Sequence, residues 1–281
     1  MSAQILDGGA TAKTIANDLI AEVSRLSERT GKRPVLATVI VGDDSASHTY
    51  VRMKVARCKK VGIEPRQITL PAESSTEQVT REVRKLSEDD SVDGILVQHP
   101  APVQVDEKQV FEAIDPGKDV DGVTSGSLAA MAFKEQGFRS ATPGGIMRLL
   151  EEYGIELAGR RAVVVGRSRI LGIPMGLLLL AENATVTYCH SKTTDLKQQV
   201  SRADVVVAAA GRPGLIAGDW IKQDAVVVDA GYADNSGDVE FDAAAERASW
   251  ITPVPGGVGP MTIACLLGQT VESHRRRHGP G

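Results

Sequence analysis

Aromatic residues make up only 4% of the 281-residue chain, which speaks against a stacking platform for single-stranded nucleic acid. Positive charge is not in excess either. The net charge of −4 argues against nucleic acid as the main partner. Cysteine is rare: Cys58, Cys189 and Cys265 stand far apart, without metal-ligand spacing, and read as free thiols of a reducing compartment. No resident metal is expected. The chain opens without a basic segment followed by an apolar run, so no signal peptide is expected. The longest apolar run, residues 170 to 181, is interrupted by glycine and proline and is too short to span a bilayer. A soluble cytoplasmic protein with no membrane partner is the expectation, and 42% hydrophobic content is enough for a proper core.

What is present is an alternation of helical and strand-like segments. Ala10 to Glu28 has helical periodicity and is stopped by Pro34. A strand over 35–41 and a turn at Gly42, Asp43 and Asp44 lead into a helix from Ser45 to Ile63, with Ser45 or Ser47 as cap and Gly62 at its end. Strand 64–70, helix 76–86 (started by Ser75 and Glu77) and strand 92–98 follow. This alternation implies parallel βα units, hence an α/β fold. Residues 122 to 145, rich in Gly, Ser and Ala, read as an interdomain linker, and 115–122 as a loop whose two carboxylates, Asp119 and Asp121, suit a solvated turn.

Two segments carry candidate chemistry. Tyr50 and Lys54 are four apart on one helix face and could form an acid/base pair if burial lowers the lysine's pKa; the alternative is an ordinary solvated pair. Gln98 ends a buried strand, at the usual mouth of an open α/β sheet, though it could simply cap a turn. In the second half, strand 161–165, the turn with Gly166, Ser168, Gly172 and Pro174, and a helix from Met175 to Ala181 offer main-chain N–H groups to a phosphate. The next strand, 185–189, ends in His190-Ser191-Lys192-Thr193, without the carboxylate an NAD site uses for ribose. With Arg167 directly after Gly166, this favours NADP; the alternative is a polar loop with no ligand. Strands 204–209 and 225–230 follow, and ITPVPGGVGP joins a short strand to a helix beginning about Met261. Its glycines leave no Cβ to block a flat ligand. The basic tail, His274 to His278, reads as a solvated helix face.

VGDDSASHTYVRMK, DGILVQ, KDVDG, VVVGRSRILGIP, CHSKT and ITPVPGGVGPMT, in this order, resemble the bifunctional methylenetetrahydrofolate dehydrogenase/cyclohydrolase family over nearly the whole chain. The resemblance implies two α/β domains flanking a cleft, the second a doubly wound Rossmann-type sheet. Residues 1–139 with 262–281 would bind folate, 140–261 would bind NADP, and dimers would form through the nucleotide domains. It also implies roles: Lys54 as the acid/base group, Tyr50 lining the folate site beside it, Gln98 bonding the lysine and Asp121 gripping the pterin. Pro255, Gly256 and Gly257 would line the place where folate meets nicotinamide. Gly166 and Ser168 belong to the nucleotide turn, and Arg167 and Ser191 would bind the 2′-phosphate. The sequence departs from the family's usual wording at His99 and Ala101, at residues 123–127, at Ser140-Ala141-Thr142-Pro143 and at Gly231-Tyr232-Ala233. A divergent paralogue with only one of the two activities or a modified folate substrate, and a non-catalytic nucleotide-binding scaffold, are the alternatives; a scaffold has no need of Tyr50, Lys54, Gln98 and Asp121 together.

Overall fold

Short apolar strands alternating with amphipathic helices close into two parallel sheets. The computed structural model describes residues 2–42, 45–233 and 236–279, with residues 45–50 described by backbone alone. The chain runs through β1 (Gln4–Ile5), α1 (Gly8–Thr30), β2 (Val35–Val41), α2 (Ser45–Val61), β3 (Glu64–Leu70), α3 (Thr76–Glu88) and β4 (Gly94–Val97). Helices α4 (Glu107–Phe111), α5 (Ser125–Phe133) and α6 (Ala141–Glu152) follow. Then come β5 (Arg161–Val165), α7 (Gly172–Ala181), β6 (Thr185–Cys189), α8 (Leu196–Ser201) and β7 (Val205–Ala208). The last elements are β8 (Val226–Asp229), α9 (Phe241–Ala245), β9 (Trp250–Ile251) and α10 (Val258–His278).

Two compact units result. One comprises Thr14–Ala130, Glu135–Arg139 and Cys265–Gly281; the other Met1–Lys13, Met131–Lys134 and Ser140–Ala264. In the first, β2 lies between β3 and β4, all parallel. Its residues are buried throughout, as a central parallel strand requires. Helix α3 is held by a reciprocal capping box, in which Ser75 Oγ accepts from Gln78 N and Gln78 Oε1 accepts from Ser75 N. Ser75 is the cap and Glu77 lies in the first turn, as expected, while Gln78 at position N3 is the residue that reaches back to the cap.

The second unit is a six-stranded parallel sheet in the order β1-β9-β8-β7-β5-β6. From β5 the chain steps outward to β6, then returns to build β7, β8 and β9 on the other side. The sheet direction therefore reverses between β5 and β7, the switch point of a doubly wound sheet. Strand β1 extends the far edge, a pairing two residues are too few to announce.

Three sequence expectations change. Residues 122–145 are no plain linker: they contain α5 and the start of α6. Gly145 is glycine because a Cβ there would come within 2.6 Å of the Met261 carbonyl oxygen, so it marks close packing against the start of α10. Helix α7 begins at Gly172, before the expected Met175, because Pro174 sits within the first turn, where a missing N–H costs nothing. And the tail is not a wholly solvated face, since His274 is fully buried.

Candidate active site

Lys54 is placed by α2 and Gln98 by the end of β4. Gln98 N donates to Val39 O at 2.8 Å, which anchors the residue level with β2. Its side chain is then fixed at both ends: Nε2 donates to His99 O at 2.6 Å, and Oε1 accepts from Lys54 Nζ at 3.0 Å. The amide thus meets the lysine with its acceptor, oriented by its own donor. Burial holds Lys54 below the ordinary lysine pKa, and the charge of Asp121 works in the opposite direction. Cys58, one helical turn on, is pushed up to about 12 by burial, so it is a neutral thiol beside the amine. A partly desolvated amine gives up its proton more readily than a solvated surface lysine. Tyr50 lies in the same helix, but its side chain, like Ser45, Ser47 and the turn at Asp43 and Asp44, is outside the described residues.

The loop that presents Asp121 is built rather than solvated. Asp119 is fully buried and accepts from Val123 N at 3.0 Å, Thr124 N at 2.9 Å and Ser127 Oγ at 2.6 Å. Burial raises its pKa and those hydrogen bonds lower it. Lys118 turns the other way and donates to the Leu86, Ser87 and Asp89 carbonyls at 2.6–3.1 Å, closing the C-terminal end of α3. Gln269, from α10, donates to Val120 O at 2.8 Å. Asp119 is thus a buried positioning residue rather than part of a solvated turn, and Lys118 and Gln269 are positioning residues that sequence reading did not single out. Spacing alone does not tell a carboxylate that caps main-chain N–H groups from one facing water.

In the other unit, Gly166 follows β5 with φ of 144°, and a Cβ there would fall on the Ala209 carbonyl beyond β7. Gly172 packs against Gly166 in the same way, so neither position tolerates a side chain. Ser168 Oγ accepts from Gly172 N at 3.2 Å, which fixes the turn into α7. Because Val165 and Cys189 are register partners, Arg167 and Ser191 emerge level with one another at the carboxyl end of the sheet, both exposed. His190 N donates to Thr193 Oγ1, and Lys192 N to His190 Nδ1, shaping the second turn.

Two further carboxylates hold the neighbouring loops. Asp238 accepts from Ala210, Gly211 and Arg212 N–H groups, and Asp229 from Gly231, Asp238 and Val239. Burial and the nearby Asp238 raise the Asp229 pKa to about 6, against the pull of its hydrogen bonds. Pro255, Gly256 and Gly257 form the tight loop between β9 and α10. Gly256 O accepts from Gly9 N at 3.0 Å, and Gly256 has φ of 112°. Gly8 belongs here too: a Cβ on it would fall on Gly257 O.

The structure therefore gathers Lys54, Gln98 and Asp121 in one unit, and Gly166, Arg167, Ser168, Ser191 and residues 255–257 in the other. A doubly wound sheet with a glycine turn at its switch point is the architecture of a nucleotide-dependent dehydrogenase, and the other unit carries a desolvated lysine. Two family models match: the tetrahydrofolate dehydrogenase/cyclohydrolase catalytic domain over residues 6–121, and its NAD(P)-binding domain over residues 140–278. The chain belongs to the tetrahydrofolate dehydrogenase/cyclohydrolase family. It is 60% identical over 280 residues to Bifunctional protein FolD 1 of Salinispora arenicola, covering 99% of this chain and 100% of that one. Among solved structures, the bifunctional FolD enzyme of Campylobacter jejuni superposes with a TM-score of 0.95 at 39% identity, covering 98% of this chain and 100% of that one. The Trypanosoma brucei enzyme, solved with NADP cofactor and an inhibitor, superposes at 0.94 with 39% identity and 98% coverage of both. The chain is accordingly a bifunctional dehydrogenase and cyclohydrolase of folate one-carbon chemistry, and the single-activity and scaffold alternatives are not favoured. No helix among the described residues is long and apolar enough to cross a membrane.

Proposed function

We propose that Lys54 is the acid/base group of the cyclohydrolase step, with Gln98 orienting its amine, Asp121 binding the pterin ring and Tyr50 lining the folate site. The observation that carries this is the 3.0 Å Lys54–Gln98 hydrogen bond at the mouth of β4, with the lysine held below its ordinary pKa. Oxidation of 5,10-methylenetetrahydrofolate removes hydride from a carbon flanked by two nitrogens, whose lone pairs stabilise the cation. That step needs ring alignment more than proton transfer. Hydrolysis of the methenyl product to 10-formyltetrahydrofolate adds water to the bridge carbon, and the Lys54 amine takes the proton the attacking water loses; the C–N5 bond then breaks as the remaining hydroxyl proton passes to N5, leaving the formyl group on N10.

The cofactor-binding residues fit NADP. Gly166 and Gly172 let the turn pack tightly between β5, the Ala209 carbonyl and the start of α7, with Ser168 fixing it, and a pyrophosphate would sit at that helix N-terminus. Arg167 and Ser191 supply a cation and a hydroxyl for a 2′-phosphate, and residues 190–193, directly after β6, hold no carboxylate to bind a free ribose hydroxyl. NADP, when bound, supplies the hydride acceptor. Pro255, Gly256 and Gly257 present a flat surface to the reacting rings. The unit carrying Lys54 is accordingly the folate-binding domain and that carrying Gly166 the nucleotide-binding domain, with the division expected at 139/140 and 261/262.

The protein acts in the cytoplasm as a homodimer. Support for the dimer is the edge strand β6 beside α7, where Tyr188, Leu180 and Ile173 are exposed on neighbouring elements. The experiment for the whole reading supplies NADP⁺ and methylenetetrahydrofolate and follows NADPH and methenyl absorbance separately. NADPH formation with transient methenyl compound is expected. No turnover with NADP⁺, or turnover with NAD⁺ alone, would contradict it.

A further inference from the structure

The C-terminal end of α10 carries side chains that neither activity uses. His274 and His278 are four apart and share one helix face. Against that face lies Asp93, just before β4. Its Oδ2 is 3.0 Å from His274 Nδ1, and its Oδ1 is 3.0 Å from His278 Nε2. The atoms these three residues offer all lie within 4.8 Å of one another. His274 and Asp93 are buried, while His278 sits at the rim.

The contacts set what this cluster can hold. Each carboxylate oxygen of Asp93 faces one imidazole nitrogen at 3.0 Å, so two imidazoles and one carboxylate come together at the end of α10. Thr30 Oγ1, which also contacts the Leu26 carbonyl at 2.8 Å and the Lys32 carbonyl at 3.0 Å, lies 3.4 Å from the far side of the His274 ring, at Nε2.

We propose that Asp93, His274 and His278 form a binding site for a borderline divalent transition-metal ion of the Zn²⁺, Co²⁺ and Ni²⁺ class. Two imidazoles and one carboxylate suit these ions rather than Ca²⁺ or Mg²⁺, which take oxygen donors. Neighbouring donors 3.0 Å apart match the edge of a coordination shell with bonds of roughly 2.0–2.2 Å. The surroundings hold the ligands in place. Val35 N donates to Asp93 Oδ2 at 2.8 Å, Ser273 Oγ to Asp93 O at 2.6 Å, and Thr30 Oγ1 lies 3.4 Å from His274 Nε2. Arg277 is the competitor: its Nε stands 3.9 Å from Asp93 Oδ1, and its Nη2 reaches Asp90 at 3.4 Å. It serves as counter-charge to the carboxylate and opposes a dication. A bound ion would tie the end of α10 to the start of β4, a structural role distinct from both activities.

The test uses the chelator-stripped full-length protein. Co²⁺ is titrated by visible absorption, Zn²⁺ by calorimetry, and the thermal midpoint is read with and without Zn²⁺. One ion per chain and a raised midpoint are expected. Because loss of an outer-shell partner alone costs about 10–100-fold, His278→Gln should weaken binding at least tenfold. Arg277→Ala should tighten it, with dehydrogenase turnover unchanged in both variants. His278 is chosen because, at the rim, it can be replaced without opening the core, and retained turnover shows that the variant has folded. No binding by the parent, or equal affinity in His278→Gln, overturns the site. A midpoint lowered by His278→Gln but indifferent to metal in both proteins leaves a hydrogen-bonded ion pair only, and also overturns it.

Discussion

At Lys54 two influences oppose each other: burial lowers its pKa, while the negative charge of Asp121 raises it. If the free amine is the base, methenyl hydrolysis rises as pH passes the lysine's pKa. Asp121 favours the ammonium form, so Asp121→Asn should lower that pKa and move the rising limb to lower pH. The pH profile of hydrolysis at saturating folate checks this, and an unmoved limb would separate Asp121 from the lysine. Arg167 makes a different claim. A charge-assisted hydrogen bond to phosphate is worth about 1.5–3 kcal/mol, so Arg167→Ala should weaken NADP roughly 10–100-fold. NAD binding should change little, and equal losses for both cofactors would remove Arg167 from the 2′-phosphate.

Among the elements, α3 shows how the site is framed from a distance. Lys118 donates to three carbonyls at its C-terminal end, from the same loop that presents Asp121. Lys118→Met keeps much of the stem but leaves those buried acceptors unpaired, and should cost about 2 kcal/mol or more of stability by denaturant titration. Folate KM should rise as well, since the Asp121 loop loosens; an unchanged midpoint would make the ammonium redundant. The central strands and long helices were legible because burial on both faces and helical periodicity write themselves into composition. The glycine turn after β5 was legible because a phosphate cradle needs glycine at defined places. Residues 122–145 were not, because Gly145 means close helix packing there and the same letter means flexibility elsewhere. The burial of Asp119 was hidden for a related reason: its partners are main-chain N–H groups, which any sequence supplies. His274 was hidden because its partner, Asp93, is 181 residues away. Lys54 and Gln98, 44 residues apart, were matched only through the family resemblance.

At the scale of the molecule, the proposed dimer and the sharing of one folate site are separate claims. The edge strand β6 and exposed Leu180 belong to the nucleotide-binding unit. Leu180→Glu should therefore lower the mass measured by light scattering from dimer to monomer while NADP affinity is kept. A parent protein that is already monomeric would contradict the dimer. The account's central claim is that the two activities ask different things of the same lysine, and Lys54→Met tests it most directly. The substitution removes the amine and keeps the stem's volume. Methylenetetrahydrofolate and NADP⁺ are supplied, with NADPH and methenyltetrahydrofolate followed together. The prediction is a loss of hydrolysis of ~10²-fold or more, a smaller fall in NADPH formation, and accumulation of the methenyl compound. Hydrolysis of added methenyltetrahydrofolate at the parent rate would contradict it and return Lys54 to a structural role.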